Sequence, residues 1–120
     1  MARILLTSGP TRAYLDDVRY LTNASSGRMG SCLARAALAR GHEVTIVSGP
    51  VAIRYPQAAR VIPVTTTAEM LAAALGELPG VDGVIAAAAP CDFEPTTRSR
   101  GKIQRTAAGL SLRLRSTTDV

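Results

Sequence analysis

Tryptophan is absent from the chain, phenylalanine occurs once and tyrosine three times. With so few aromatic rings the core has to be built from Val, Ile, Leu and Ala, which suits helices layered on a sheet. The scarcity also argues against a nucleic-acid partner, because such surfaces interleave aromatic rings with basic residues or present a recognition helix. Cysteine occurs only at Cys32 and Cys91. Their separation fits neither a metal-ligand pattern nor a disulfide framework, so both are expected to be small buried residues and zinc chemistry is disfavoured. No apolar run approaches the length of a membrane span, and Met1–Leu6 runs into a strand pattern rather than a signal-peptide core with a cleavage site. The expectation is a cytoplasmic protein with no membrane partner. At 120 residues, positions 1–120 are expected to form one small domain.

What is present in excess is positive charge. The formal net charge is +5, and Arg98, Arg100, Lys102, Arg105, Arg113 and Arg115 crowd the last quarter of the chain. Phosphates of a small molecule are the expected partners, set against a basic loop that is merely solvated.

Periodicity maps the elements. Arg3–Thr7 is an apolar run closed by Ser8-Gly9-Pro10, which reads as a buried strand and a turn. A polar loop runs to Ser25. Ser26–Arg40 has helical spacing, with Met29, Leu33, Ala36 and Ala37 as its apolar positions, and stops at Gly41, beside which His42 is read as structural. Strands are expected at Glu43–Val47, Arg60–Val64 and Gly83–Ala87, with Thr67 capping a helix through Leu78 and Glu69 in its first turn. Leu110–Leu114 alternates with polar residues and suits a further strand or hairpin arm. Strands separated by helices predict an α/β, Rossmann-like, doubly wound and mostly parallel sheet.

That fold raises an NAD(P)-dependent oxidoreductase, but the fingerprint fails. Ser8-Gly9-Pro10-Thr11-Arg12 lacks the G-x-G-x-x-G spacing, and the second strand ends in Ser48 rather than an acidic residue for a ribose diol. The phosphate signal comes later, in Val18-Arg19-Tyr20-Leu21-Thr22-Asn23-Ala24-Ser25-Ser26-Gly27-Arg28-Met29-Gly30. Two serines and a glycine before an apolar helix bring hydroxyls, unpaired amides and the positive end of the helix dipole to one place. An ordinary serine N-cap is the plainer alternative.

These segments resemble a known family. The loop Ser8–Gly30, the turn Val47-Ser48-Gly49-Pro50, the run Ala86-Ala87-Ala88-Ala89-Pro90-Cys91-Asp92-Phe93, and Gly101-Lys102-Ile103 are similar, in order and spacing, to successive motifs of phosphopantothenate–cysteine ligase. The resemblance covers the whole chain and corresponds to the first part of that family's synthetase domain. It implies a two-step ligation in coenzyme A biosynthesis. The carboxylate of 4′-phosphopantothenate attacks the α-phosphate of a nucleoside triphosphate, and the cysteine amine then displaces the nucleotide. CTP is the expected co-substrate, with Mg2+ accompanying it; eukaryotic members use ATP. A homodimer, and a flavin-dependent decarboxylase fused or separate, are also implied. A nucleotide-binding fragment that cannot complete the reaction is the alternative.

Carried over by position, the resemblance makes Asn23 a contact to the acyl-nucleotide and Lys102 the residue that neutralises the triphosphate. Each is the only residue of its type in the chain. Ser25, Ser26 and Gly27 correspond to the triphosphate turn, and Asp92 to a contact with the nucleotide ribose or base, or else a turn former. Arg19 corresponds to a substrate arginine, or else braces the long loop. Ala88 and Ala89 either let substrate lie against the backbone or simply pack. Phe93 is expected in the core. The chain departs from the family pattern where Pro90-Cys91 interrupts an A-A-V-A-D run and where Lys102-Ile103-Gln104-Arg105 loses one positive charge. Ser116–Val120 corresponds to the cap of a following helix, so the sheet is expected to be incomplete at the C-terminus, with an open edge. Asn23 and Lys102 are expected to open onto one cleft with the serine turn.

Overall fold

The computed structural model describes residues 1–120. Four strands, β1 (Arg3–Ser8), β4 (Glu43–Ser48), β5 (Arg60–Pro63) and β6 (Gly83–Ala86), form a parallel sheet in the order β5-β4-β1-β6. Leu6 lies between Ile46 on β4 and Ile85 on β6, so the central strand is apolar on both sides. Helix α1 (Arg28–Ala39) connects β1 to β4 and α2 (Thr67–Glu77) connects β5 to β6. The two helices cover opposite faces because strand side chains alternate. Leu6, Val44 and Ile46 pack with Ala34 and Ala37 on one face, and Leu5 and Val47 pack with Val64 and Met70 on the other. The doubly wound α/β reading is thus the observed fold.

Helix α1 begins two residues later than the sequence spacing predicts. Its N-cap is Gly27, at φ 79°, and no side chain caps it. Its buried stripe is Gly30, Ser31, Ala34 and Ala37, whereas Met29 is exposed. Small residues face the sheet because the helix lies almost on β1: a Cβ at Gly30 would stand 2.0 Å from Ser8 Oγ. Cys32 falls on the outer face of the helix and is exposed, contrary to expectation, while Cys91 is buried. Past the helix end, Gly41 takes φ 83°, and its amide and that of His42 close onto Leu38 and Ala37 carbonyls, a Schellman ending. His42 Nδ1 accepts from the Ala2 amide, the structural role expected of it. The cap of α2 is Thr66 rather than Thr67. The Thr66 hydroxyl accepts from the Glu69 amide, which frees Thr67 to turn inward.

A second layer stands beyond the sheet. The segment read as a polar loop holds an antiparallel hairpin, β2 (Arg12–Tyr14) with β3 (Tyr20–Thr22), and Phe93–Pro95 forms β7, paired with β8 (Leu114–Ser116). The C-terminal strand therefore lies a few residues beyond the alternating run that predicted it. Phe93 is 56% exposed, not in the core, because this two-stranded ribbon has no layer over that face. The long axis of the molecule is 58 Å against 26 and 18 Å for the others.

Candidate functional site

In open α/β sheets the ligand crevice lies outside the carboxyl ends of the strands, where successive crossovers turn in opposite directions. Here that point falls between β1 and β6. The chain leaving β1 and the chain leaving β6 run side by side across it: Ala87 donates to Thr7, Ala89 to Gly9, and Pro10 bridges to Ala89. Gly49 comes so close that a Cβ there would lie 1.5 Å from the Pro10 oxygen, so the turn after β4 admits only glycine.

The start of α1 faces this edge. Ser25 Oγ accepts from the Gly27 amide at 3.3 Å and Ser26 Oγ from the Arg28 amide at 3.2 Å. The serines thus shape the turn, Ser26 taking the first amide of the helix, and the next amides, of Met29 and Gly30, are left without a side-chain partner. Beneath them a chain of hydroxyls locks the turn to the sheet. Tyr55 bridges Ser48, at 2.7 Å, and Ser8, at 2.8 Å, and Ser8 donates to the Gly27 carbonyl at 3.4 Å. Ser8 and Ser48 read as turn punctuation in the sequence, and nothing in the pattern singled out Tyr55.

Asn23 joins the two halves of the crevice. Its Nδ2 donates to the carbonyls of Ala89 at 2.9 Å and Pro90 at 3.0 Å, leaving Oδ1 as a free acceptor. Asn23 and Asp92 share a depression of about 200 Å³, with Leu21, Phe93 and Leu114 as its apolar wall. Ala88 is half-buried and packs against the Leu5–Met70 cluster, so its side chain serves the core. The loop is welded below by Thr11, whose hydroxyl bonds Thr67 and accepts from the Cys91 amide, both at 2.8 Å.

Arg19 and Lys102 stand elsewhere. Arg19 donates to Asp16 Oδ2 at 2.8 Å and to the Ile103 carbonyl at 3.0 Å, at the tip of the β2–β3 hairpin. It thus braces the loop, and it also lines a hollow of about 440 Å³ beneath residues 103–110. Lys102 is exposed and held between anchored neighbours: Gly101 exchanges bonds with Asp17, and the Ile103 amide reaches Asp16. Lys102 is not among the residues lining the depression at Asn23. The expected sharing of one cleft is not seen in the lining of that depression: Asn23 follows β3, whereas the neighbours of Lys102 are tied to Asp16 and Asp17 at the turn of the hairpin.

Asp16 organises that tip and escaped the sequence reading. Its side chain is fully enclosed and accepts from the amides of Val18, Arg19 and Ile103 as well as from the Arg19 guanidinium. The Ile103 amide is the largest cause holding its carboxyl well below the usual carboxylate range. The amides of Val18 and Arg19 and the Arg19 guanidinium add to it, and burial opposes them. The available signal was the Asp-x-Val-Arg spacing of a side-chain turn onto amides two and three residues on.

No three side chains among His, Cys, Asp and Glu cluster closely enough to hold a metal ion, and no helix is long and apolar enough to cross a membrane.

A family model described as the DNA/pantothenate metabolism flavoprotein C-terminal domain matches residues 1–120. The chain is similar to the coenzyme A biosynthesis bifunctional protein CoaBC of Bacillus subtilis (strain 168), at 41% identity over 118 residues, 98% of this chain and 29% of that protein. Among solved structures, a crystal structure of the C-terminal domain of a CoaBC protein superposes with a TM-score of 0.83 at 38% identity, covering 98% of this chain and 54% of that one. A Cab2 variant solved with phosphopantothenate-cysteine shares the fold, with a TM-score of 0.76 at 19% identity over 98% of this chain and 57% of its own. The chain thus spans under a third of the curated relative and about half of the solved domain.

Proposed function

The chain belongs to the DNA/pantothenate metabolism flavoprotein C-terminal domain family, and from that premise we propose that it forms the crevice half of a phosphopantothenate–cysteine ligase of coenzyme A biosynthesis. The observation that carries this reading is the pair of Asn23 hydrogen bonds to Ala89 and Pro90, which couples the phosphate turn to the loop after β6 at the crossover reversal of the sheet. The CoaBC relatives and the ligand of the Cab2 structure support the substrate class.

In the first step a phosphopantothenate carboxylate oxygen attacks the α-phosphorus of CTP, and the bond to the β-phosphate oxygen breaks, giving an acyl-cytidylate and pyrophosphate. The uncapped amides of α1 and the polar turn Ser25-Ser26-Gly27 receive phosphate oxygens there. In the second step the cysteine amine attacks the acyl carbon, CMP leaves, and the amine gives up a proton. Asn23 holds the floor of the pocket with its two N–H groups and offers Oδ1 to a donor on the substrate. Asp92 takes the ribose or base. Mg2+ is mostly bound through one or two carboxylates plus substrate phosphates. With Asp92 as the single carboxylate in the depression, the residues fit an ion brought in on the triphosphate and no resident cage. Lys102 and Arg19 meet the anionic ends of the substrates from the hairpin tip. A homodimer belongs to the same reading.

Calorimetric titration of the chain with CTP, ATP and 4′-phosphopantothenate tests the site, and pyrophosphate release and peptide-product formation test the chemistry separately. CTP is expected to bind more tightly than ATP, and Asn23→Asp to weaken it by about tenfold or more, because both donors to the Ala89 and Pro90 carbonyls are lost and a negative charge takes their place. Absence of binding by all three ligands would remove the reading. A second reading, nucleotide binding without turnover, is favoured by the absence of Lys102 from the lining of the Asn23 depression; binding with neither product formed selects it.

A further inference from the structure

The second layer, built from the two hairpins, has two chemically different faces. Strand alternation sends Leu21, Phe93 and Leu114 to the side that walls the Asn23 depression. The intervening positions Arg12, Tyr14, Glu94 and Arg115 line a separate cavity of about 200 Å³, closed by Arg98 and by Thr66 at the start of α2.

Three guanidinium groups therefore converge on one hollow that contains a single carboxylate. Each is oriented by a neighbour that leaves most of its donors unused. The Arg12 guanidinium lies 4.3 Å from the centre of the Tyr20 ring and that of Arg98 lies 4.6 Å from the Tyr14 ring, the two rings meeting edge to face. Arg115 bonds Glu94 through Nε at 3.0 Å, and Arg98 reaches Asp17 at 3.4 Å. Arg12 has no carboxylate partner. Like charges lining one hollow repel one another, and the ring faces beneath Arg12 and Arg98 restrict those two side chains. An anion with several oxygens relieves the repulsion and matches the planar donor forks.

We propose that this cationic face binds a phosphate group, with Arg12 as the principal ligand and Arg98 and Arg115 closing around it. The site goes beyond the ligase reading, since it lies on the opposite side of the hairpin layer from the depression at Asn23 and uses none of that site's residues. The group arrives either as free inorganic phosphate or as the end of an organic phosphomonoester; the recognition chemistry is common to both.

The test titrates the chain at constant ionic strength with inorganic phosphate, and in a second arm with methyl phosphate, following the arginine Nε–Hε resonances by NMR. Saturating shifts with one shared midpoint are expected at Arg12, Arg98 and Arg115, while Arg35 on the outer face of α1 stays still. Arg12→Gln is expected to raise the midpoint by about tenfold or more, the loss of a charge-assisted hydrogen bond. Glu94→Gln, which removes the internal competitor, is expected to lower the midpoint several-fold. A Ser25→Ala, Ser26→Ala double variant is expected to leave all three responses intact, which separates this site from the helix-start phosphate site. Equal, non-saturating shifts at all arginines, an unchanged midpoint in Arg12→Gln, or loss of the response in the serine variant would each overturn the proposal. The arm with the lower midpoint identifies the source of the phosphate group.

Discussion

Single side chains here act mainly as fasteners between segments distant in sequence, and Asp16 is the clearest case. A carboxylate whose folded-state value is depressed contributes stability above the unfolded value of about 4 and loses it as pH falls through that value toward the folded one. Asp16→Asn puts an amide donor where the Ile103 amide and the Arg19 guanidinium already donate. The melting temperature of the variant is therefore expected to lie below that of the parent at pH 6, and the gap to shrink as pH falls below about 4, where the unfolded parent takes up a proton at this carboxyl that the folded parent still excludes. Thermal melts of both proteins across that range check the sign. Lys102→Gln is expected to weaken triphosphate use without lowering the melting temperature, because its side chain is exposed and only its neighbours are anchored. In an active ligase the loss at an electrostatic site is about two to three decades in pyrophosphate release.

At the scale of elements, the spacing between α1 and β1 is set by Gly30. Replacing an exposed helical glycine by alanine gains about 1 kcal/mol of propensity. Here the new methyl would stand 2.0 Å from Ser8 Oγ and 2.5 Å from Ser8 Cβ, on a side chain already tied to Tyr55. Overpacking of this kind costs about 1–3 kcal/mol, so Gly30→Ala is expected to destabilise on balance, measurable by urea unfolding. The start of α2 offers a contrasting case. Thr66→Ala removes the hydroxyl that accepts from Glu69 and is expected to cost about 1 kcal/mol without moving the helix.

The whole molecule is less compact than its length suggests. Its radius of gyration is 16.4 Å, against about 14 Å for a compact chain of this size, because the hairpin layer projects from the sheet. The sheet itself ends at β6, where Val84 is exposed and borders an apolar hollow shared with Leu75, Leu78 and Val120. An open parallel edge beside apolar side chains is a template for association. The isolated chain is expected to self-associate at micromolar concentration, and Val84→Lys to shift it toward monomer; sedimentation velocity distinguishes the two.

The sequence by itself determined the sheet, both helices and the position of the serine turn before α1, because runs such as Arg3–Thr7 and Glu43–Val47 are largely apolar and bounded by Gly, Pro or Ser. Their neighbours in sequence and their burial agree. It also supplied the motif residues, since Asn23, Ser25, Ser26 and Asp92 stand in one ordered pattern. Only the tertiary structure decided what those residues touch. The three-residue strands of the hairpin layer carry too short a pattern to be read, and their pairing depends on contacts such as Asp16 with Ile103, 87 residues apart. Those contacts also hold the neighbours of Lys102 at the hairpin tip, while the packing of α1 on the sheet turns Cys32 to solvent and the bare face of the β7–β8 ribbon leaves Phe93 exposed, because exposure follows from which surfaces meet rather than from which residues are adjacent.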